Sequence, residues 1–423
     1  MGVYLLIDCN NFFVSCEKVF DPSLKNKPVA VLSNNDGCII ARSNEVKALG
    51  IKMGMPLFKC RYLLERHKVR IFSSNFALYA DMSARVMQTV GSFGIPMEVY
   101  SIDEAFLLVH NFNKDILDSL ARSIRQRVQK WTGITISVGI GPTKTLAKVA
   151  NKQAKKNPTF KGVYSIFPDT SIDSLLQQTE VADIWGIGRK YTKKLDRAGI
   201  TNALALKNAS DLWVRKNMTI LGLKTVWELR GIACYTLEEQ PEPNDTIACT
   251  RSFAQEVTSL QEMRQAIAYY VSRAAYKMRK QNQCAQNMYV FVMTSRFKDN
   301  FYYKSASCVL SQPTAFTPTL ISSALAGLQK IFKHGYRYKK AGVILCDLLP
   351  QAHKQIGIFD PVLKECVLKQ NRLMQVTDRI NTKWGKDTIV PAAVGIKKPW
   401  HAKRDKKSAR FTTCWYELPV VKK

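Results

Sequence analysis

The sequence predicts a mixed α/β (α+β) chain of several domains. Strand and helix patterns alternate over residues 1–168, turn helical over 169–240, and return from about 246 to 349. Between the last two stretches lies Glu238-Glu239-Gln240-Pro241-Glu242-Pro243-Asn244-Asp245, acidic and proline-containing as a linker should be. A chain of 423 residues has room for about two to four such domains.

Gly2 to Ile7 is an apolar run ending on Asp8, which predicts a buried strand with a carboxylate at its tip. Phe12 to Phe20 has helical character and Pro22 closes it. Strands are expected at Pro28 to Leu32 and Cys38 to Ala41, joined by the turn Ser33-Asn34-Asn35-Asp36-Gly37. Asn44 to Leu49 reads as a short helix stopped by Gly50, and Tyr79 to Val90 as a longer one with Leu78, Met82 and Val86 at helical spacing. Glu98 to Val109 alternates like a single strand. Ile116 to Trp131 is amphipathic through Ile116, Leu120, Ile124 and Val128. Ile134 to Ile140 is a β-branched strand, and Thr143 to Lys155 a lysine-bearing helix. Residues 27–79 look like an insertion into this first domain.

Beyond the linker, strands are expected near Ile247 to Ser252, Met288 to Thr294, Ala306 to Leu310 and Lys340 to Leu345. Helices are expected at Met263 to Lys280 and Pro318 to Phe332. The last 70 or so residues read as less regular, and the basic segment from Lys397 onward as mobile.

Composition narrows the partner. There are 63 Lys and Arg against 33 Asp and Glu, a net charge of +30, which points to a polyanion. No segment reaches the ~18 uninterrupted apolar residues of a membrane-spanning helix. Nucleic acid is therefore favoured over a membrane. The N-terminus lacks a basic leader and meets Asp8 early, unlike a signal peptide, so a cytoplasmic location is expected. Eleven cysteines, an odd number scattered without a Cys-x-x-Cys pair, argue against a structural zinc site and a disulfide framework. His67, His110, His334, His353 and His401 are dispersed and form no ligand pair.

The chemistry rests on carboxylates. Asp8 ends the first strand, and Asp103 and Glu104 are adjacent within an apolar strand pattern. Half-buried neighbouring charges must be paired or coordinated. Two Mg²⁺ ions would resolve the repulsion, since Mg²⁺ takes oxygen ligands and two such ions serve phosphoryl transfer. The plainer alternative, a hairpin end with solvated acids, stays open on this pair alone.

The surrounding motifs are more specific. Asp8-Cys9-Asn10-Asn11-Phe12-Phe13-Val14-Ser15-Cys16-Glu17 and Ser101-Ile102-Asp103-Glu104-Ala105-Phe106 resemble the metal-binding motifs of the Y-family DNA polymerases. So does Ser137-Val138-Gly139-Ile140-Gly141-Pro142-Thr143-Lys144-Thr145-Leu146-Ala147-Lys148. Ser33-Asn34-Asn35-Asp36-Gly37-Cys38-Ile39-Ile40-Ala41-Arg42-Ser43, Lys52-Met53-Gly54 and Phe72-Ser73-Ser74-Asn75-Phe76 look like the UmuC branch, the catalytic subunit of bacterial DNA polymerase V and its mobile-element relatives. The resemblance runs from residue 3 to about 350.

It implies a right-hand polymerase. The ferredoxin-like palm would be 1–26 and 80–168, the small fingers 27–79, the helical thumb 169–240, the little finger 246–349, and the tail 350–423. The implied activity is error-prone translesion synthesis in the SOS response, without proofreading. Asp8, Asp103, Glu104 and the main-chain carbonyl of Cys9 would bind two Mg²⁺ ions. Phe13 would be the steric gate that excludes a ribose hydroxyl, while Phe12 is core. Arg42, Asn44, Lys47 and Lys155 would face the triphosphate; Asn44 and Lys47 replace the Tyr and Arg of many members, and Lys lacks the bidentate fork of Arg.

Trp185-Gly186-Ile187-Gly188-Arg189-Lys190 reads as a helix-hairpin-helix, whose glycines and basic helix start would meet a DNA phosphate. Arg251, Arg273, Lys277, Arg279, Lys280, Arg296, Lys298 and Lys304 are candidate phosphate contacts of the little finger. Gln355-Ile356-Gly357-Ile358-Phe359 resembles the peptide by which bacterial polymerases dock on the sliding clamp, with Ile356 and Ile358 replacing Leu. Further implied partners are primer–template DNA, dNTP, a UmuD-type accessory dimer and the RecA filament. Two rivals remain at this point: a nucleotide cyclase with similar two-metal chemistry, and a catalytically inactive DNA-binding subunit.

Overall fold

β1 (Gly2–Cys9) lies at the centre of the first sheet in the computed structural model, which describes residues 2–110, 113–166, 172–240, 242–351 and 364–418. After it come α1 (Phe12–Phe20), β2 (Val29–Leu32), β3 (Ile39–Arg42), α2 (Asn44–Ala48), α3 (Leu57–Arg66), β4 (Arg70–Ser73) and α4 (Phe76–Gly91). Then follow β5 (Met97–Val99), β6 (Glu104–His110), α5 (Lys114–Thr132), β7 (Ile136–Gly141), α6 (Lys144–Lys156) and β8 (Val163–Ser165). The helices α7 (Ile172–Gln177), α8 (Arg189–Arg197), α9 (Ala203–Lys207) and α10 (Asp211–Leu229) complete this run.

The chain divides into two units, one of Met1–Ser33, Gly37–Pro241 and Lys406–Lys423, the other of Asn34–Asp36 and Glu242–Asp405. The first unit's main sheet has the order β5-β6-β1-β7-β8, in which β1 runs antiparallel to both β6 and β7. The spatial order β5-β6-β1-β7, with α4 and α5 as crossovers, is the ferredoxin-like arrangement. Val3, Leu5 and Ile7 enter one core with α1, α4 and α5; Tyr4 and Leu6 enter another with Phe106 and Ala147. Both faces are covered, which is why the strand reads as an unbroken apolar run. Gly139 lets α6 lie against β7: a Cβ there would stand 2.1 Å from the Asn151 nitrogen. The insertion between α1 and α4 carries a separate sheet, β3-β2-β4.

Two sequence expectations need correction in this unit. Residues 98–109 form a hairpin, not one strand: Ser101 Oγ accepts from the amides of Asp103 and Glu104 at 3.2 and 3.1 Å and bends the chain. In α5 the inward stripe is Leu117, Ala121, Ile124 and Val128, while Ile116 is exposed.

The second unit holds β9 (Ile247–Val257), α11 (Leu260–Lys280), β10 (Gln283–Thr294), β11 (Tyr303–Thr314), α12 (Thr317–Ile331), β12 (Tyr338–Pro350) and α13 (Lys364–Lys383). Its sheet is antiparallel in the order β11-β10-β12-β9. Met288, Val290, Val292, Val343 and Leu345 face a core shared with α11 and α12. Alternate residues such as Tyr289, Tyr303 and Val309 are exposed.

The C-terminal stretch departs from expectation. α13 is a regular helix, yet within its described side chains only Met374 is buried, and Asp378 is held instead by Arg279. A helix fastened by an ion pair leaves little apolar periodicity to read. Nor is the segment after Lys397 loose: Trp400 is buried in the second unit's core, and Phe411 stacks on Phe20 in the first unit at 4.9 Å.

Candidate active site

Where β1 ends, three acids meet. Asp8 and Glu104 are register partners across the β1–β6 pair. The turn before β6 brings in Asp103, whose carbonyl accepts from Cys9 N at 2.9 Å and whose Oδ1 accepts from Ser101 Oγ at 2.7 Å. Burial pushes the Asp8 carboxyl up to about 6; Lys155 opposes the shift, and Glu104 adds to it.

Each acid has a partner already. Lys155 Nζ sits 2.5 Å from Asp8 Oδ2, and Lys148 Nζ donates to Glu104 Oε2 at 2.8 Å. Both lysines come from one face of α6, seven residues apart, which is close to two helical turns. The N-terminus of that helix is anchored by buried Glu228 of α10, whose Oε2 accepts from Thr145 N at 2.9 Å. Lys144 is spent differently, on Glu98 and the Thr236 carbonyl.

Asp8, Cys9 and Asp103 line a cavity of about 240 Å³ whose other walls include Phe13, Arg42, Lys47 and Lys155. The cations crowd one another: burial first, then Arg42 and Lys155, hold the Lys47 ammonium below its ordinary range. Arg42 Nη1 donates to the Ile51 carbonyl at 2.5 Å, while its buried Nε has no partner among the described residues. An orphaned guanidinium N–H beside two lysines suits a polyanion.

Phe12 is buried in the core and also borders the cavity; Phe13, next to it, lines the cavity and stacks on Tyr79 at 4.5 Å and 14°. Asn44 does not line the cavity. It is exposed at the start of α2, where its Oδ1 accepts from Asn11 Nδ2 at 3.1 Å. Asn11, left-handed at φ 49°, does line it and was not singled out from sequence. Lys148 was also missed as a site residue, although its spacing from Lys155 marks a shared helix face.

The donor set at β1 is all oxygen, the chemistry of a hard divalent cation. Among the described residues no three His, Cys, Asp or Glu gather closely enough to hold one ion, and Lys148, Lys155 and Ser101 each take a carboxylate oxygen. The acids fit cation binding in type and adjacency; those side-chain partners would have to give way.

Gly186 and Gly188 lie apart from the acids. Gly186 has φ 86°, which glycine alone adopts readily, and Gly188 caps α8 with open space for 4 Å around the point where a Cβ would stand. The element before this turn is a single 3-10 turn, Val181–Asp183. Arg189 and Lys190 are exposed in the first turn of α8. Trp185 packs on Tyr100 and Tyr235 with centroids at 5.6 and 5.1 Å, fastening the turn to the first sheet. In the second unit Arg279 is bidentate to Asp378, and Lys298 pairs with Glu256 at 2.8 Å, so both have structural partners. Gln355, Ile356, Ile358 and Phe359 lie outside the described residues.

Residues 7–152 match the family model described as "impB/mucB/samB family", residues 245–358 its C-terminal domain, and 371–421 a "Domain of unknown function (DUF4113)". The chain is 41% identical to Protein ImpB of Salmonella typhimurium, over 99% of this chain and 100% of the relative. It is 43% identical to Protein UmuC of Salmonella typhimurium strain LT2, with the same coverage of 99% and 100%. Among solved structures, the fold is similar to "Y-family DNA polymerase chimera Dbh-Dpo4(243-245)-Dbh", with TM-score 0.65 and 20% identity over 82% of this chain and 99% of that one. "Insertion ternary complex of Dbh DNA polymerase" gives TM-score 0.55 and 21% identity over the same 82% and 99%. On relatives this similar over nearly their full length, the protein belongs to the impB/mucB/samB family, the UmuC-like branch of the Y-family DNA polymerases.

Proposed function

We propose that this chain is an error-prone translesion DNA polymerase, adding deoxynucleotides to a primer 3′ end in DNA damage tolerance and SOS mutagenesis. One observation carries the reading: Asp8 and Asp103, with Glu104 paired to Asp8 across the β1–β6 register, share a cavity with Arg42, Lys47 and Lys155. Carboxylates and cations around one cavity suit a nucleoside triphosphate held by metal and phosphate contacts together.

In this reading Asp8, Asp103, Glu104 and the Cys9 carbonyl hold two Mg²⁺ ions. Bound there, the ions neutralise developing charge on the phosphoryl group and lower the pKa of the primer hydroxyl. Arg42, Lys47 and Lys155 orient the triphosphate. Phe13 stands where a ribose hydroxyl would clash and selects deoxyribonucleotides. Asn44 acts at most through Asn11.

Residues 1–26 and 80–168 serve as palm, 27–79 as fingers, 169–240 as thumb and 246–349 as little finger. Gly186, Gly188, Arg189 and Lys190 grip the duplex backbone without reading sequence. The exposed sheet face of the second unit, with Tyr289 and Tyr303, runs along DNA. Partners in the cell are a UmuD-type dimer, the RecA filament, and the sliding clamp through Gln355, Ile356, Ile358 and Phe359.

Primer extension on an undamaged template, with and without the UmuD-type partner, tests the reading. Extension by the wild type and its loss in Asp103→Asn are expected. Conversion of ATP without a primer would identify a cyclase instead, and DNA binding without extension in any complex an inactive subunit.

A further inference from the structure

Behind Phe13, on the side away from the cavity, lies a buried polar network that no step of the proposed reaction uses. Tyr79, parallel to the Phe13 ring, is 0% exposed and donates its hydroxyl to Glu17 Oε1 at 2.6 Å. Glu17 is 2% exposed, and burial holds its carboxyl above the ordinary range. Its second hydrogen bond comes from the far end of the chain: Ser408 Oγ donates to the same Oε1 at 3.1 Å.

Several contacts hold Ser408 there. Asn75, itself 0% exposed, donates through Nδ2 to Ser408 Oγ at 2.9 Å and to the Ala409 carbonyl at 3.0 Å. Lys406 and Ser73 exchange hydrogen bonds, Ser73 N to the Lys406 carbonyl at 3.0 Å and Lys406 N to Ser73 Oγ at 2.9 Å. Phe411 closes the strap by stacking on Phe20 at 4.9 Å and 11°. Glu17 and Phe20 lie on α1, the helix that also carries Phe13.

We infer that the C-terminal strap, residues 406–411, is a positioning element for sugar selection, setting the Phe13 ring through Ser408, Glu17 and Tyr79. The inference rests on the reading of Phe13 as the steric gate. Its physical basis is that a gate discriminates by sub-ångström placement, and Tyr79 is the parallel stacking partner of a ring whose other aromatic neighbours, Phe76 at 6.2 Å and Phe12 at 5.8 Å, meet it edge-on or tilted. Tyr79 is fixed in rotation by its hydrogen bond to Glu17. A buried carboxylate left with one donor is under-satisfied, so it shifts, takes a proton or admits water. Each outcome loosens Tyr79 and with it Phe13.

The test uses the full chain with its accessory partner and compares kcat/KM for a dNTP and the matching rNTP. Ser408→Ala is expected to lower deoxy-over-ribo selectivity ~3- to ~30-fold, by analogy with the rate losses that follow ångström-scale misplacement. Ser408→Thr, which keeps the hydroxyl, restores it. Ser408 does not line the cavity, so dNTP incorporation should stay near wild type. In a Phe13→Ala background Ser408→Ala adds nothing, since the coupled element is gone. A purely structural strap would instead lower stability and both substrates' incorporation alike. If Phe13→Ala itself leaves selectivity unchanged, the gate reading falls and this inference with it. If Phe13→Ala relaxes selectivity and Ser408→Ala does not, the gate stands and the strap's role is refuted.

Discussion

Lys155 Nζ lies 2.5 Å from Asp8 Oδ2, so an acid suited to a metal ion is held by a cation of the chain itself. The same lysine lines the cavity beside Arg42 and Lys47, where a triphosphate would draw it away. One residue is therefore placed to trade a carboxylate for a phosphate as substrate arrives.

Lys155→Ala separates the two roles. Without the competing ammonium, Mn²⁺ titrated into the nucleotide-free protein should bind roughly threefold to tenfold tighter, a change of about 0.7–1.4 kcal/mol. KM for dNTP should rise in the same variant. Unchanged Mn²⁺ affinity would mean that the ion pair does not compete with the metal.

Asp8 also sets a pH dependence of stability. Its carboxyl, about 6 in the fold against 3.8 ordinarily, is raised, so the folded state disfavours the charged form. The penalty is absent below about pH 4, grows between 4 and 6, and is fully present above. Asp8→Asn should thus stabilise the metal-free protein at pH 7.5 by up to about 2 kcal/mol, a few degrees in Tm. The gain should vanish near pH 3.5. Mg²⁺ should raise the Tm of wild type and not of the variant. Equal Tm values at pH 7.5 without metal would contradict the assignment.

Phe13→Ala should admit ribonucleotides. Single-nucleotide insertion kinetics should give rNTP incorporation at least ~100-fold closer to dNTP incorporation, since a full ring is removed from the contact. Retained discrimination would move the gate elsewhere.

Two glycines should answer differently to alanine. At Gly139 the added Cβ meets backbone of α6 at 2.1 Å, so Gly139→Ala should unfold the chain or lower stability by more than ~3 kcal/mol. Gly188 has φ −87° and open space around it, so Gly188→Ala should fold with Tm nearly unchanged. If phosphate approaches that backbone, its DNA affinity should fall. Unaltered affinity, measured by fluorescence anisotropy across a salt series, would remove Gly188 from the interface.

For the clamp peptide, Ile358→Ala with Phe359→Ala should abolish stimulation of synthesis by the sliding clamp and leave clamp-free synthesis intact. Undiminished stimulation would refute docking through this segment.

Much of the fold was legible because it is local. β1 reads as buried from its apolar run, and α1 and α6 as helices from their spacing, whereas the ferredoxin-like palm was implied by the family resemblance. The acid motifs marked Asp8, Asp103 and Glu104 by resemblance. The hairpin at Ser101 was lost because a side-chain hydroxyl, not a glycine or proline, makes the bend. α13 was lost because its described side chains are mostly exposed and an ion pair helps fasten it.

What no reading of the chain alone could supply are pairings between distant segments. Lys148 on Glu104, Lys155 on Asp8, and Ser408 on Glu17 across 391 positions depend on where packed elements put their ends. Periodicity reports which face of a helix or strand is apolar, a property of neighbouring residues. Partners of buried charges are chosen by tertiary packing, because a carboxylate taken out of water binds whichever donor the fold delivers.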